Sequence, residues 1–220
     1  FSKKKIVIGM LARKNFIKDH LTLIKSFVVL NKNRKNLILF LQGSGLKSDT
    51  EINNFISKNQ IKNVYFSNSN NKEFFFSQID IHVLSSFGES FPNVVAESIQ
   101  REKITLSSNV GDVNRFLIKK NIFQIGNVSE CKSKIENYLK LIEKKSLEIK
   151  KIKNELKKTI ERDFAISKKV KLFEKLWIDY QNSKKILIVI PSLGGGGAEK
   201  VVTFLSKDLI EKGYDSTILI

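Results

Sequence analysis

Two carboxylates, Glu89 and Glu97, stand eight positions apart in the run Ser85-Ser86-Phe87-Gly88-Glu89-Ser90-Phe91-Pro92-Asn93-Val94-Val95-Ala96-Glu97. Pro92 suits the first position of a helix, where its missing N–H would have had no helical partner. The helix start therefore falls between the two acids, with Glu89 on the loop and Glu97 on the second helical turn. Free N–H groups at such a start, here around Phe91, Asn93 and Val94, attract an anion, and the helix dipole adds to the attraction. Two hydroxyl-accepting carboxylates beside an anion site suit a sugar joined to a phosphate. A capped surface helix with two solvated acids would have the same spacing, so both readings stand on the pattern alone.

The acids depend on elements that must hold them in place. Lys5 to Leu11, Leu37 to Leu41, Val64 to Phe66, Ile79 to Leu84 and Ile104 to Leu106 read as strands, mostly apolar on both faces. Between them, Asp19 to Leu30 carries apolar residues near helical spacing, Ile52 to Ile56 belongs to a short helix, and another helix follows Pro92. This alternation predicts an α/β fold, a Rossmann-like parallel sheet with helices on both faces. Ligands of such sheets bind outside the carboxyl ends of the strands. The loops at 11–18, 43–45, 66–71 and 85–93 all leave strands at that end, so they converge on one crevice.

A helical region follows. Ile135, Leu139 and Ile142 form one apolar stripe, Ile149, Ile152, Leu156 and Ile160 a second, and Val170, Phe173, Leu176, Trp177 and Tyr180 a third. Helices packed on the preceding sheet account for all three. Then the grammar restarts: Ile186 to Ile190 reads as a buried strand, Gly194 to Gly197 as a glycine loop, Ala198 to Lys212 as a helix with Val201, Val202, Leu205 and Leu209 inward, and Ser216 to Ile220 as a strand. This last stretch is too short to bury a core alone, so it docks on the preceding domain or lacks the rest of its own. The chain opens at Phe1 and ends on a strand-like run, and reads as a fragment cut at both ends.

A hydrophobic content of 41% supports a packed core, and the apolar runs are strand-sized, too short to span a bilayer. The single cysteine, Cys131, excludes an internal disulfide and fits a reducing compartment. With two histidines, His20 and His82, no cluster has metal-ligand spacing. The net charge is +17, nearly all of it before residue 184, since five lysines face four acids from there onward. The richest run, Lys144 to Lys158, has seven lysines against Glu148 and Glu155, with neither arginine nor aromatic residue. That composition argues against nucleic acid as a partner. It leaves a solvated helix face or an anionic membrane surface.

Several segments in one order resemble the donor half of GT-B glycosyltransferases of family 4. Ile8-Gly9-Met10-Leu11-Ala12-Arg13 with Lys18-Asp19-His20 is similar to the opening of that donor domain, and Leu39-Phe40-Leu41-Gln42-Gly43-Ser44-Gly45 to its next glycine turn. Asp80-Ile81-His82-Val83-Leu84-Ser85-Ser86, followed by Glu89 and Glu97, is similar to its signature pair of glutamates. Ser107 to Asp112, Phe164-Ala165-Ile166-Ser167 and the helix through Tyr180 complete a match over roughly 5–181. The resemblance implies a nucleotide-sugar-binding Rossmann-like domain at 1–127 and a helical part of the same domain at 128–183. Lys185 to Glu199 is similar to the start of an acceptor domain, which implies that 184–220 opens a second, truncated GT-B domain, by tandem fusion, permutation or misjoined neighbouring genes.

The family's chemistry then implies roles. Transfer from a nucleotide sugar develops charge on the leaving diphosphate, and without a metal fixed cations must hold it. Arg13 and Lys18 would do so, with Glu89 on the sugar hydroxyls as the third catalytic residue. Gly43, Gly45, Ser90, Phe91, Pro92, Asn93, Val94 and Glu97 would bind the donor, Glu97 at the ribose diol. In the second unit, Gly194, Gly195, Gly196, Gly197 and Glu199 would line a glycine loop. The resemblance implies a retaining, metal-independent hexosyltransferase without a cofactor, acting in the cytoplasm or at the inner membrane face. Its partners would be a UDP- or GDP-sugar and a glycan or lipid-linked acceptor. The fragment alone would bind donor without catalysis. Ser90 and Glu102 replace glycines of the family pattern, Ile104 replaces a proline, Arg115 replaces an acid, and Ser98-Ile99-Gln100-Arg101 replaces a small apolar turn. These departures keep two other readings open: a degenerate binding or scaffold domain, or a basic module that docks on membranes.

Overall fold

The computed structural model describes residues 5–164, 166–181, 185–190 and 197–219. The chain divides into two compact units, Phe1–Asp163 and Phe164–Ile220.

In the first unit six strands pair in parallel: β1 (Ile6–Leu11), β2 (Leu37–Gln42), β3 (Val64–Ser67), β4 (Ile81–Leu84), β5 (Ile104–Ser108) and β6 (Ile122–Phe123), in the order β3-β2-β1-β4-β5-β6. The helices around them are α1 (His20–Asn33), α2 (Thr50–Lys58), α3 (Lys72–Gln78), α4 (Asn93–Gln100), α5 (Val128–Glu143) and α6 (Leu147–Asp163). The two-residue period of a strand divides the core. β1 turns buried Ile6, Ile8 and Met10 to one face, while Val7 and Leu11 pack with Phe40, Phe75, Phe76 and Ile79 on the other. Capping side chains set the helix starts: Asp19, Asp49, Asn71 and Asn127 accept N–H bonds from Thr22, Ile52, Phe74 and Glu130 at 3.2, 2.8, 2.9 and 2.9 Å.

Several expectations shift. β4 starts at Ile81 rather than Ile79: Asp80 donates its N–H to the Val7 carbonyl and accepts the Val7 N–H on its carboxylate, both at 2.9 Å, and Ile79 packs in the aromatic cluster. Pro92 sits at the N-cap, not inside the helix. Its ψ of 83° is not helical, and its carbonyl accepts the Val95 N–H at 2.9 Å. Helix α3 has no counterpart in the periodicity, because three successive phenylalanines mask its stripe. Ile152, Leu156 and Ile160 of α6 are buried, as are Ile135 and Leu139 of α5. Of the departures, Glu102 occupies the left-handed region at φ 56° and pairs with Lys157 at 2.6 Å. Arg101 pairs with Glu73 and lies over the Phe76 ring at 4.9 Å.

The core also encloses a liability. His82 is fully buried on β4, edge-on to Phe75 and Phe76, and neither ring nitrogen has a partner. Burial pushes its pKa from 6.5 down to about 3, and that of His20 down to about 4. Both imidazoles therefore stay neutral in the fold, while the unfolded chain takes up a proton on each below pH 6.5. Stability present above pH 6.5 is lost as pH falls toward 4, by up to about 1.4 kcal/mol per pH unit per histidine. His82→Leu removes an unsatisfied polar group, so urea denaturation should give about 1–2 kcal/mol more stability at neutral pH and a shallower acid loss. An unchanged acid profile would show that His82 is not one of the titrating groups.

In the second unit, α7 (Ile166–Gln181) leads to β7 (Lys185–Val189), α8 (Gly197–Glu211) and β8 (Asp215–Leu219). β7 and β8 pair in parallel, Lys185 against Asp215 through Val189 against Leu219. The strands are half-buried rather than buried, with Ile186, Ile188, Ser216 and Ile218 on the covered face. On α8 the inward face is Val202, Ser206 and Leu209, not Val201 and Leu205, which are exposed. A two-stranded sheet offers the helix one narrow face, and Ser206 meets Ser216 there, hydroxyl to hydroxyl at 2.8 Å. Val170, Phe173 and Leu176 of α7 are exposed as well. Gly194, Gly195 and Gly196 lie outside the described residues, as does the side chain of Glu199, and Gly197 opens α8.

Candidate functional site

Because every strand of the six-stranded sheet runs the same way, the connections after β1 to β5 all emerge at one end. Two of them are laced together. After β1, Asn15 caps a short 3₁₀ turn, Phe16–Lys18, through the Ile17 N–H at 2.8 Å. The Phe87 N–H from the loop after β4 donates to the Ile17 carbonyl at 2.6 Å, and Ser85 Oγ donates to the Asp19 carbonyl at 2.8 Å. Phe16 and Phe87 pack with tilted rings, centroids 5.2 Å apart.

This lacing presents Lys18 to Glu89. Lys18 Nζ lies 2.5 Å from Glu89 Oε1, and Ser86 Oγ donates to the same oxygen at 2.8 Å. The side chains are 26% and 14% exposed, so water screens the pair less than it would a surface pair. Glu97 is held separately, since Lys72 Nζ, at the first position of α3, donates to both of its oxygens at 2.7 and 3.0 Å. Lys18, Lys72 and Glu89 share a crevice of about 270 Å³ with Leu11, Ala12 and Leu84 and the start of α4. The Asn93 N–H is spent on the Phe91 carbonyl at 2.9 Å, and Val95 on Pro92. Val94 lines the crevice in the first turn of α4, where helix N–H groups lack intrahelical partners.

Two backbone approaches fix the rim. A Cβ on Gly43 would lie 2.1 Å from the Ala12 carbonyl oxygen, so only glycine lets the turn after β2 sit against the loop that carries Arg13 and Lys18. The Lys14 N–H donates to the Ser44 carbonyl at 2.8 Å across the same contact. His20, neutral because burial depresses its pKa, donates through Nε2 to the Ala12 carbonyl at 3.2 Å. On the far side, Gly111 packs on the Glu89 and Ser90 carbonyls, and the Asp112 N–H donates to Ser90 at 3.2 Å.

The fold thus gathers Lys18, Glu89, Phe91, Pro92, Asn93 and Val94 at one crevice. Glu97 joins them through Lys72, and Gly43 stands behind the wall. Arg13 is exposed on the same loop as Lys18 and does not line the crevice, nor do Gly45 and Ser90, both exposed. Lys72 was not singled out in the sequence, and Ser86 and Gly111, though inside segments likened to the family, were given no role in the site. Asn71 before Lys72-Glu73 is a helix-start signature that could have located α3 and, with it, Lys72. What Ser86 and Gly111 touch could not be read without the strand order. Among the described residues no His, Cys, Asp and Glu side chains converge as metal ligands, and no helix is long and apolar enough to cross a membrane.

Comparison with known proteins supplies the wider frame. The family described as Glycosyl transferases group 1 matches residues 1–162. No curated protein sequence matches the chain. Among solved structures, the catalytic domain of cholesterol-alpha-glucosyltransferase from Helicobacter pylori is similar at a TM-score of 0.59 and 22% identity, over 70% of this chain and 97% of that one. HepE from Anabaena, solved in complex with UDP and glucose, is similar at 0.68 and 16%, over 79% of this chain and 48% of that one. The C-terminal domain of the LpcC protein from Francisella tularensis is similar at 0.62 and 16%, over 74% and 88%. The chain spans about half the length of HepE and most of the two domain-sized structures. At these identities the likeness is one of fold.

Proposed function

The chain belongs to the glycosyl transferases of group 1, and on that footing we propose that its crevice binds the diphosphate and sugar of a nucleotide-sugar donor in a hexosyl transfer. The observation that carries this reading is the Lys18–Glu89 pair, 2.5 Å apart at the carboxyl ends of β1 and β4. A cation and an acid in one half-buried crevice match a ligand that is anionic at one end and rich in hydroxyls at the other. HepE, whose structure holds UDP and glucose, has the same fold, which favours UDP over GDP.

In this scheme the bond between the anomeric carbon and the diphosphate breaks, a bond to an acceptor oxygen forms, and the acceptor's hydroxyl proton passes to the departing diphosphate. Lys18, with Arg13 swinging in from its exposed position, takes up the charge left on the diphosphate, so no metal is required. The Val94 N–H and the α4 dipole add a neutral contribution. Glu89 accepts sugar hydroxyls after releasing Lys18 to the phosphates, and Glu97 accepts the ribose diol. Retention of configuration and a glycan or lipid-linked acceptor follow the family pattern. The strand–loop–helix–strand order of 184–220 reads as the opening of a second such domain.

The test is calorimetric titration of the full chain. Lys18→Gln should weaken UDP binding roughly 10- to 100-fold, because a charge-assisted bond to phosphate is lost. Glu89→Gln should leave UDP within a few-fold and weaken UDP-glucose further. UDP affinity indifferent to Lys18→Gln would sink the reading.

A further inference from the structure

The other end of the first unit carries a separate feature. Lys5, Asn36, Asp80 and Lys103 immediately precede β1, β2, β4 and β5, so they gather where the parallel strands begin, away from the crevice. The turn joining α5 to α6 closes over that end. A groove of about 490 Å³ there is lined by Lys103, Lys145, Lys150 and Lys153 above an isoleucine floor. Adjoining hollows add Lys5 and Lys35.

None of these six lysines makes an ion pair with a described residue. Two of the acids nearby are paired with other cations, and the third takes a backbone N–H while keeping its charge. Glu102 pairs with Lys157 at 2.6 Å, Glu143 pairs with Arg34, and Asp80 accepts the Val7 N–H at 2.9 Å. Burial, with Lys103 close by, pushes the Lys153 ammonium below the ordinary lysine range. Asp80 and Glu102 offset part of the charge at Lys153, but the six lysines outnumber these acids and repel, and a surface carrying many negative charges would relieve them. At the crest, Leu147 opens α6 with 76% of its surface exposed, flanked in sequence by Lys144, Lys145, Lys150 and Lys151. An exposed aliphatic side chain in a lysine-rich turn, with the adjacent Glu148 paired to Lys120 at 2.7 Å, matches the apolar interior and phosphate surface of a bilayer. No aromatic side chain lines the groove, and Arg34 beside it is engaged, so the stacking and fork contacts that nucleic acid favours are missing.

We propose that the strand-start end of the first unit docks on an anionic lipid bilayer, its lysines over the phosphate headgroups and Leu147 in the interface. The inference is independent of the nucleotide-sugar reading, and it leaves the crevice facing away from the membrane. It also narrows the basic run to one face by joining Lys5, Lys35 and Lys103, remote in sequence, to the lysines of α6.

The test is sedimentation of the full chain with phosphatidylcholine vesicles, with and without phosphatidylglycerol, at rising ionic strength. Binding should require phosphatidylglycerol and weaken with salt. Each lysine near an anionic surface contributes roughly five-fold in partition, so Lys145→Gln with Lys150→Gln should lower binding roughly 25-fold. Leu147→Ser should weaken binding without altering its salt dependence. Lys47→Gln, which removes a charge from the crevice end, should change nothing. The proposal is overturned by equal binding to both vesicles, or by equal losses from Lys47→Gln and Lys150→Gln, which would mean attraction to net charge alone. Tighter binding of a single-stranded RNA that ignores Leu147→Ser would overturn it too.

Discussion

Glu97→Ala should lower the affinity of the chain for UDP by roughly 10- to 150-fold, the loss expected for one carboxylate accepting two ribose hydroxyls. Lys72 complicates the readout and makes it sharper. Its ammonium donates to both Glu97 oxygens, at 2.7 and 3.0 Å, and the substitution leaves it unpaired beside the crevice. A freed cation there attracts a diphosphate. Pyrophosphate, which has no ribose, should therefore bind Glu97→Ala as tightly as the parent or tighter, while UDP binds more weakly. Glu97→Gln keeps the shape and most of the hydrogen bonding but loses the charge, and should fall between. If UDP and pyrophosphate change in parallel across the series, Glu97 acts through its charge on the crevice, and its assignment to the ribose fails.

The second large effect concerns Gly111→Ala. This residue adopts φ 50°, and an added Cβ would lie 2.2 Å from the Ser90 carbonyl oxygen and 2.4 Å from that of Glu89. Both obstacles are backbone, held in a loop that is pinned at Phe87 and Ser85, so they cannot swing aside as a flexible side chain would. Left-handed strain and displaced backbone together should destabilise the fold by about 2–4 kcal/mol in urea denaturation. The loop that must shift also carries Glu89, so donor affinity should fall with stability. Gly88→Ala in the same loop is the control: its Cβ would meet nothing closer than Ile17 at 3.9 Å, and its expected change is within about 0.5 kcal/mol. Equal effects at the two glycines would mean that the contact of Gly111 with Ser90 does not hold the loop.

These expectations mark how far the sequence carried. Strands β1 and β2 and helices α1, α5 and α6 follow from apolar spacing alone, because a strand covered on both faces is mostly apolar and a packed helix must show one stripe, whereas β5 buries Thr105, Ser107 and Ser108. Helix α3 escaped, since Phe74, Phe75 and Phe76 point around the helix rather than along one side. The start of α4 fell one residue late, because Pro92 fits the N-cap as readily as the first turn. The burial of α8 was misjudged, because a two-stranded sheet gives the helix less cover than a full one.

For the site, the residue types and the end of the sheet were legible in the chain, and so was the convergence of the loops that carry Lys18 and Glu89, though not the direct pairing of the two. What the letters could not determine was the order of those strands. Hydrogen-bond pairing between strands leaves no local mark, and only β1 lying between β2 and β4, with β5 beyond, puts Gly43 against Ala12, Gly111 against Ser90, and Lys72 on Glu97. The same pairing turned scattered lysines into a single cationic face. Side-chain chemistry is written residue by residue, whereas the distances that let it act belong to contacts between segments far apart in the chain, which exist once the core has closed around them.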